Sequence, residues 1–92
     1  MHTDEYEISI NREVNHHQHV VKKIRQDLEK RQQKYGMDYA EAVKAAAAGG
    51  ISLAKKELAE WQEDVEALPL WEQRLDEYRK ALAMMRISAS RS

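Results

Sequence analysis

The chain has 92 residues, a net charge of −1 and 34% charged side chains, and it contains no cysteine. Without cysteine it forms neither a disulfide framework nor a zinc site built on thiolates. No apolar stretch is long enough to cross a bilayer, so membrane insertion is not expected. We therefore expect a cytoplasmic protein with a single helical domain over residues 1–92.

Near the start of the chain, apolar and polar residues alternate: Tyr6, Glu7, Ile8, Ser9, Ile10 and Asn11. A period of two is compatible with a short strand inside the N-terminal segment 1–10. Asn11 is of a type that often caps helices, and the pattern that follows it predicts a first helix over 11–35.

Large side chains then recur at alternating spacings of four and three in two long segments. The first set is Ile10, Val14, His17, Val21, Ile24, Leu28, Arg31 and Tyr35. The second set is Leu58, Trp61, Val65, Leu68, Trp71, Leu75, Tyr78, Leu82 and Met85. This spacing lines one face of a helix for a helical partner. The fold class predicted is all-α, a long helical hairpin whose arms pack along one seam.

The connection between the arms predicts a short alanine-rich helix over 38–48. Gly36 can end the first helix in the left-handed conformation, and Asp38 with Glu41 forms a capping box. Gly49 and the glycine after it end the short helix.

The rest of the chain predicts two further helices and a tail. Ser52 is the expected cap of a third helix over 52–68. Pro69 lacks an amide hydrogen, so it is expected to kink or restart the helix, with a fourth helix continuing over 69–87. The small polar residues 88–92 predict a disordered tail.

One seam between two arms buries little apolar surface, and small folds of this kind are often completed by a second copy. Four large side chains fall off the seam and stay available for such a copy: Ile8, Leu53, Leu70 and Met84. We therefore expect a homodimer that forms a four-helix, coiled-coil-like bundle.

Charge is unevenly distributed along the two arms. Residues 20–34 are mostly basic, and every charged side chain in 57–66 is acidic. An antiparallel hairpin places these stretches side by side, which favours internal pairing. The alternative is that one stripe faces a partner of opposite charge.

A histidine cluster invites a metal interpretation. Glu13 and His16 have the spacing of a Glu-x-x-His half-site of helical di-iron proteins, and His19 lies near them. A complete site needs further carboxylates, so the main expectation is that no metal and no cofactor bind, with a metal-binding bundle as the alternative.

Nucleic acid is a second alternative partner. A strand with Glu7, Ser9 and Asn11 on its outer side would fit a dimeric ribbon-helix-helix repressor. Nucleic acid is not favoured, because Glu7 would face phosphates and the basic stretch contains acids. The segment from Tyr6 to Val43 is similar in element order to antitoxins of that class.

Two further segments carry a resemblance to a family. Residues 28–43, LEKRQQKYGMDYAEAV, and the Glu60-Trp61 pair resemble small helical bacterial proteins regarded as antitoxins of toxin–antitoxin pairs. The resemblance implies that the chain binds and neutralises a partner protein. Since the second arm carries an acidic stretch and no catalytic constellation is found, we expect a non-enzymatic module that masks a basic protein such as a toxin. The partner-binding residues expected on the acidic arm are Glu60, Glu63, Asp64, Glu66, Trp61 and Trp71.

Overall fold

The computed structural model describes residues 5–90, with side chains described for 5–87. These residues form the helices α1 (Glu5–Tyr35), α2 (Tyr39–Ala47) and α3 (Lys55–Ser90). No strand occurs among them, so the predicted all-α class is confirmed. None of the helices within the described range is long and apolar enough to span a membrane.

The strand predicted in segment 1–10 is wrong, because α1 already begins at Glu5. Asn11 is not a cap either, since its side-chain amide donates to the carbonyl of Glu7 inside the helix at 3.1 Å. Of the three alternating apolar residues, Ile10 alone is buried. A strand with one buried face would bury all three, whereas a helix that packs through Ile10 buries only that one. Residues 1–4 lie outside the described part.

The turn after α1 agrees with its prediction. Gly36 has a φ of +68°, and its N–H donates to the carbonyl of Gln32 at 2.8 Å. A residue with a side chain would be strained in this left-handed conformation. Asp38 caps α2, because its carboxylate accepts from the N–H of Glu41 at 2.8 Å.

α2 ends as predicted at the glycine pair. Gly49 adopts a φ of +78°, and its N–H donates to the carbonyl of Ala46 at 3.2 Å. The predicted cap Ser52 is wrong, since α3 begins at Lys55 and the N–H of Leu58 donates to the carbonyl of Ala54.

α3 is one helix of 36 residues that continues through Pro69. The predicted division into helices 52–68 and 69–87 is therefore wrong. Proline removes one backbone hydrogen bond, but the apolar seam continues on both sides of it. Residues 88–90 are also helical, so the disordered tail predicted over 88–92 is wrong for these three, and 91–92 lie outside the described residues.

The seam of α3 differs from its prediction at one position. Val65 is 37% exposed, whereas the carboxylate side chain of Asp64 is 25% exposed and reaches the first arm. With Asp64 in place of Val65, the spacings from Leu58 to Trp71 are three, three, four and three. The two consecutive spacings of three therefore meet at Trp61, and the four-three pattern continues unbroken from Asp64 past Pro69.

Contacts divide the chain into two compact units, and each contains part of α1 and part of α3. The terminal unit comprises the described residues 5–22 and 70–90, and its core is Ile10, Val14, His17, Val21, Leu75 and Leu82. The turn unit is Lys23–Pro69, includes α2, and buries Ile24, Ala42 and Trp61. In both units α1 packs against α3, which confirms the helical hairpin.

Candidate functional site

An open cleft of about 810 Å³ lies in the terminal unit, between the first half of α1 and the second half of α3. Its lining is Tyr6, Ser9, Ile10, Glu13, His16, His17, Trp71, Arg74, Glu77, Tyr78 and Ala81. Aromatic rings and a few charged groups dominate this lining, a composition typical of binding surfaces.

His17 forms the floor of the cleft, because it occupies a seam position and is only 5% exposed. The centroid of its ring lies 5.0 Å from those of Trp71 and Tyr78. His16 is exposed, and its ring lies 5.9 Å from that of Trp71. Trp71 thus contacts two neighbouring histidine rings, whose centroids are 5.6 Å apart, while part of its surface still faces solvent.

The tautomer of His17 follows from its hydrogen bond. Nδ1 lies 2.7 Å from the backbone carbonyl of Glu13, and the carboxylate of Glu13 lies 3.6 Å from the same nitrogen. A carbonyl oxygen only accepts, so Nδ1 carries the proton. His17 is therefore a polar seam residue satisfied within its own helix.

The three metal candidates are not brought together within the described part of the chain. Glu13 and His16 both line the cleft, but His19 does not. Across the described residues, no group of three or more His, Asp or Glu side chains is close enough to hold a metal ion. The Glu-x-x-His spacing places two side chains on one helix face, and the second helix supplies no matching pair.

The cleft contains the residue types of a Ser–His–Glu triad but not its geometry. In the described part of the chain, Ser9 hydrogen-bonds to neither His16 nor His17. Acyl transfer also needs backbone N–H groups aimed at an oxyanion, and the N–H groups along a continuous helix are already bonded within it.

Two opposite charges lie at the rim of the cleft on α3. Glu77 accepts one hydrogen bond, from Gln73 at 3.5 Å. Arg74 makes no hydrogen bond or ion pair with any described residue. Both side chains are exposed, so an external partner can reach them.

In the turn unit the acidic stretch pairs with α1, which confirms the first interpretation of the charge pattern. Arg31 contacts the carboxylates of Asp64 at 2.7 Å and Glu60 at 3.5 Å. Lys34 lies 3.6 Å from Glu57. Because Arg31 and Asp64 both occupy seam positions, their pairing also fixes which residues of the two arms lie opposite each other.

The remaining predicted carboxylates are exposed. Glu66 accepts a hydrogen bond from Gln62 at 3.0 Å, and no side chain of the described residues bonds to Glu63. Glu63 and Glu66 thus lack a basic neighbour within the turn unit, unlike Glu60 and Asp64.

A titrating group of three residues adjoins these ion pairs. A hydrogen bond with Tyr35 and the positive charge of Lys34 lower the pKa of Glu57. A hydrogen bond with Glu57 raises the pKa of Tyr35. Hydrogen bonding to Tyr35 and attraction to Glu57 raise the pKa of Lys34.

The two tryptophans have different environments. Trp61 is 1% exposed, with its ring stacked on Tyr35 at 5.5 Å and edge-on to Tyr39 at 5.8 Å. Trp61 was expected to bind a partner, but its burial leaves it no surface in the folded turn unit. Trp71 remains a candidate contact because it lines the open cleft.

Several cleft residues were not anticipated from the sequence, among them Tyr6, Arg74 and Glu77. Tyr6 was assigned to a strand, and the other two were not singled out. Helical spacing could have identified Arg74 and Glu77, since they lie on the turns next to Trp71 and Tyr78.

Comparisons with protein-family models, with curated proteins and with solved structures find no match for this chain.

Proposed function

We propose that this chain is a non-enzymatic protein-binding module. The observation that carries the proposal is the surface of the terminal unit, where Tyr6, Leu70 and Met84 are the most exposed large apolar side chains, at 61–67%. Tyr6 lines the aromatic cleft, and the other two lie seven residues either side of its rim residue Glu77. Exposed apolar groups beside a cleft are typical of protein association.

Within this class we propose an antitoxin-like role, the masking of a basic protein. The exposed carboxylates Glu63 and Glu66 support it, because no base of the described turn unit neutralises them. Glu60 can contribute, since its side chain is still 49% exposed. Asp64 is committed to Arg31, so it serves the fold and is not part of the proposed surface.

Charge reversal tests this role. Glu63→Lys with Glu66→Lys should weaken capture of a basic protein from the native cell and slow its association, because charges at an interface govern the encounter rate. The matched control is Glu5→Lys with Glu29→Lys, which makes the same change in net charge on α1. Pull-down with mass spectrometry identifies the protein, and surface plasmon resonance at two salt concentrations gives the rates.

The expected result is a basic protein whose on-rate falls in the α3 variant and is preserved in the control. If both variants bind it equally, or if the captured protein is acidic, the masking role is wrong. The ribbon-helix-helix alternative has no support, since the residues proposed for its strand belong to α1.

A further inference from the structure

α3 carries a second four-three stripe beside the seam. Its members in the terminal unit are Leu70, Arg74, Glu77, Ala81 and Met84, at successive spacings of four, three, four and three. Ala81 is partly buried, and the other four are exposed. Such a stripe is typical of a helix face that packs on another helix. Its residues are different from the seam residues of α3 that pack on α1.

We propose that this stripe is the interface between two copies of the chain, with the two α3 helices antiparallel. A two-fold axis passing between residues 75 and 76 places Arg74 of one copy against Glu77 of its partner, twice. The same axis places Leu70 against Ala81, a large side chain against a small one. One helix face thus supplies both halves of each contact, as a symmetric dimer requires.

The charges select this occupant and this orientation. Arg74 makes no ion pair within the described residues, whereas Glu77 accepts a hydrogen bond from Gln73 at 3.5 Å and is attracted by the charge of Lys80. A second copy gives Arg74 an opposite charge and gives Glu77 a second one. A parallel arrangement would instead place Arg74 against Arg74 and Glu77 against Glu77, which like-charge repulsion opposes.

In this arrangement the Arg74 side chain of the second copy reaches the rim of the cleft. Arg74 and Glu77 line its rim beside Trp71 and Tyr78. The guanidinium that arrives from the partner copy therefore meets a carboxylate next to aromatic rings, and such rings attract cations. The inference does not depend on the antitoxin-like role, because that role uses Glu63 and Glu66.

Sedimentation equilibrium of the full chain tests the proposal. The wild type should give about twice its chain mass of 10.7 kDa at micromolar concentration. Arg74→Glu and Glu77→Arg should each weaken self-association by roughly 10- to 100-fold, since each converts two attractive pairs into two repulsive ones. Leu70→Lys should weaken it as well, and Val65→Lys, an exposed apolar position elsewhere on α3, should not.

Mixing the two charge variants provides the decisive readout. Arg74→Glu and Glu77→Arg together should form a mixed dimer of near wild-type affinity, because every cross pair is again opposite in charge. The double variant with both changes in one chain should also dimerise. Circular dichroism verifies that each variant is folded.

A wild type that sediments as a helical monomer overturns the proposal, and so does a dimer that both single variants leave intact. Failure of the mixed dimer to form overturns the antiparallel pairing. None of these outcomes bears on the masking of a basic protein, which the Glu63 and Glu66 variants test separately.

Discussion

Trp61 and Trp71 show that the position of a residue along the seam of α3 determines how deeply its side chain is buried. Both belong to the seam of α3, but Trp61 meets Tyr35 and Tyr39 in the turn unit and is fully enclosed. Trp71 meets two histidines in the terminal unit, and the cleft leaves it open on one side. The same residue type thus contributes core packing in one unit and the lining of an open cleft in the other.

This difference is measurable by fluorescence in single-tryptophan variants. With Trp71→Phe, the remaining Trp61 should emit at shorter wavelength and resist acrylamide quenching. With Trp61→Phe, the remaining Trp71 should emit at longer wavelength and be quenched several-fold more strongly. Equal quenching of the two would contradict the assignment of Trp61 to the core and Trp71 to the cleft.

Truncation should separate the two residues as well. Trp61→Ala removes a fully enclosed side chain, a change that commonly costs about 3–5 kcal/mol. That is a large share of the stability of a small domain. Trp71→Ala should cost less, because the side chain is partly solvated before the change. Urea unfolding followed by circular dichroism compares the two losses.

At the scale of helices, the sequence predicted the seams better than the helix boundaries. Seams follow from burial, and seven side chains of the second set are buried or partly buried besides the fully enclosed Trp61. Val65 was misassigned because hydrophobicity favoured it over Asp64. An ion pair with Arg31, which spacing alone does not reveal, made the polar residue the better seam member.

Local signals failed where packing opposed them. Asn11, Ser52 and Pro69 are residue types that start or stop helices, yet α1 begins earlier, α3 begins later and α3 continues through the proline. The turn predicted at Gly36 and the helix cap predicted at Asp38 were confirmed, because the hairpin needs the chain to turn at this point. The cleft itself was not predicted, although its lining residues Glu13, His16 and Trp71 were singled out, since its members come from two distant segments whose register was unknown.

The Arg31–Asp64 pair should stabilise the hairpin mainly by fixing which residues of α1 and α3 lie opposite each other. Asp64→Leu alone leaves Arg31 with the more distant Glu60, and we expect a loss of about 1–2 kcal/mol. Arg31→Met combined with Asp64→Leu should lose less than the sum of the two single changes, because no partly buried charge then lacks its partner. Urea unfolding of the four proteins gives the coupling energy.

The exposed pair of Asp76 and Lys80, 2.9 Å apart on one helix, is the matched control. Its double-variant cycle, Asp76→Leu with Lys80→Met, should give a much smaller coupling, because solvent screens an exposed pair within one helix. If both cycles give the same small coupling, the pair at the seam adds nothing beyond a surface contact.

On the scale of the whole molecule, stability depends on a small set of enclosed side chains. The buried apolar residues of the described part are Ile10, Val14, Val21, Ile24, Ala42, Trp61, Leu75 and Leu82. Folds with so little enclosed surface are marginally stable, so modest contributions from titrating groups become visible.

The group formed by Lys34, Tyr35 and Glu57 should therefore shape the pH dependence of unfolding. The pKa of Glu57 lies below its ordinary value of 4.5, so its contribution is complete above pH 4.5 and is lost as the pH falls through the lowered value. The pKa of Tyr35 lies above its ordinary 10.0, so its contribution is complete below pH 10.0 and is lost at higher pH.

Replacing the tyrosine tests this coupling, because Tyr35 is the largest cause of the Glu57 shift. Tyr35→Phe should raise the pKa of Glu57 toward 4.5 and flatten the acid side of the stability profile. Its control, Tyr39→Phe, alters another ring that packs on Trp61 and should lower stability without changing the slope. Carbon-detected NMR titration of the Glu57 carboxyl gives the pKa directly, and urea midpoints between pH 3 and pH 7 give the slope. An unchanged Glu57 pKa in Tyr35→Phe would show that the phenol hydroxyl does not stabilise the carboxylate, and the lowered pKa would then have to come from the charge of Lys34.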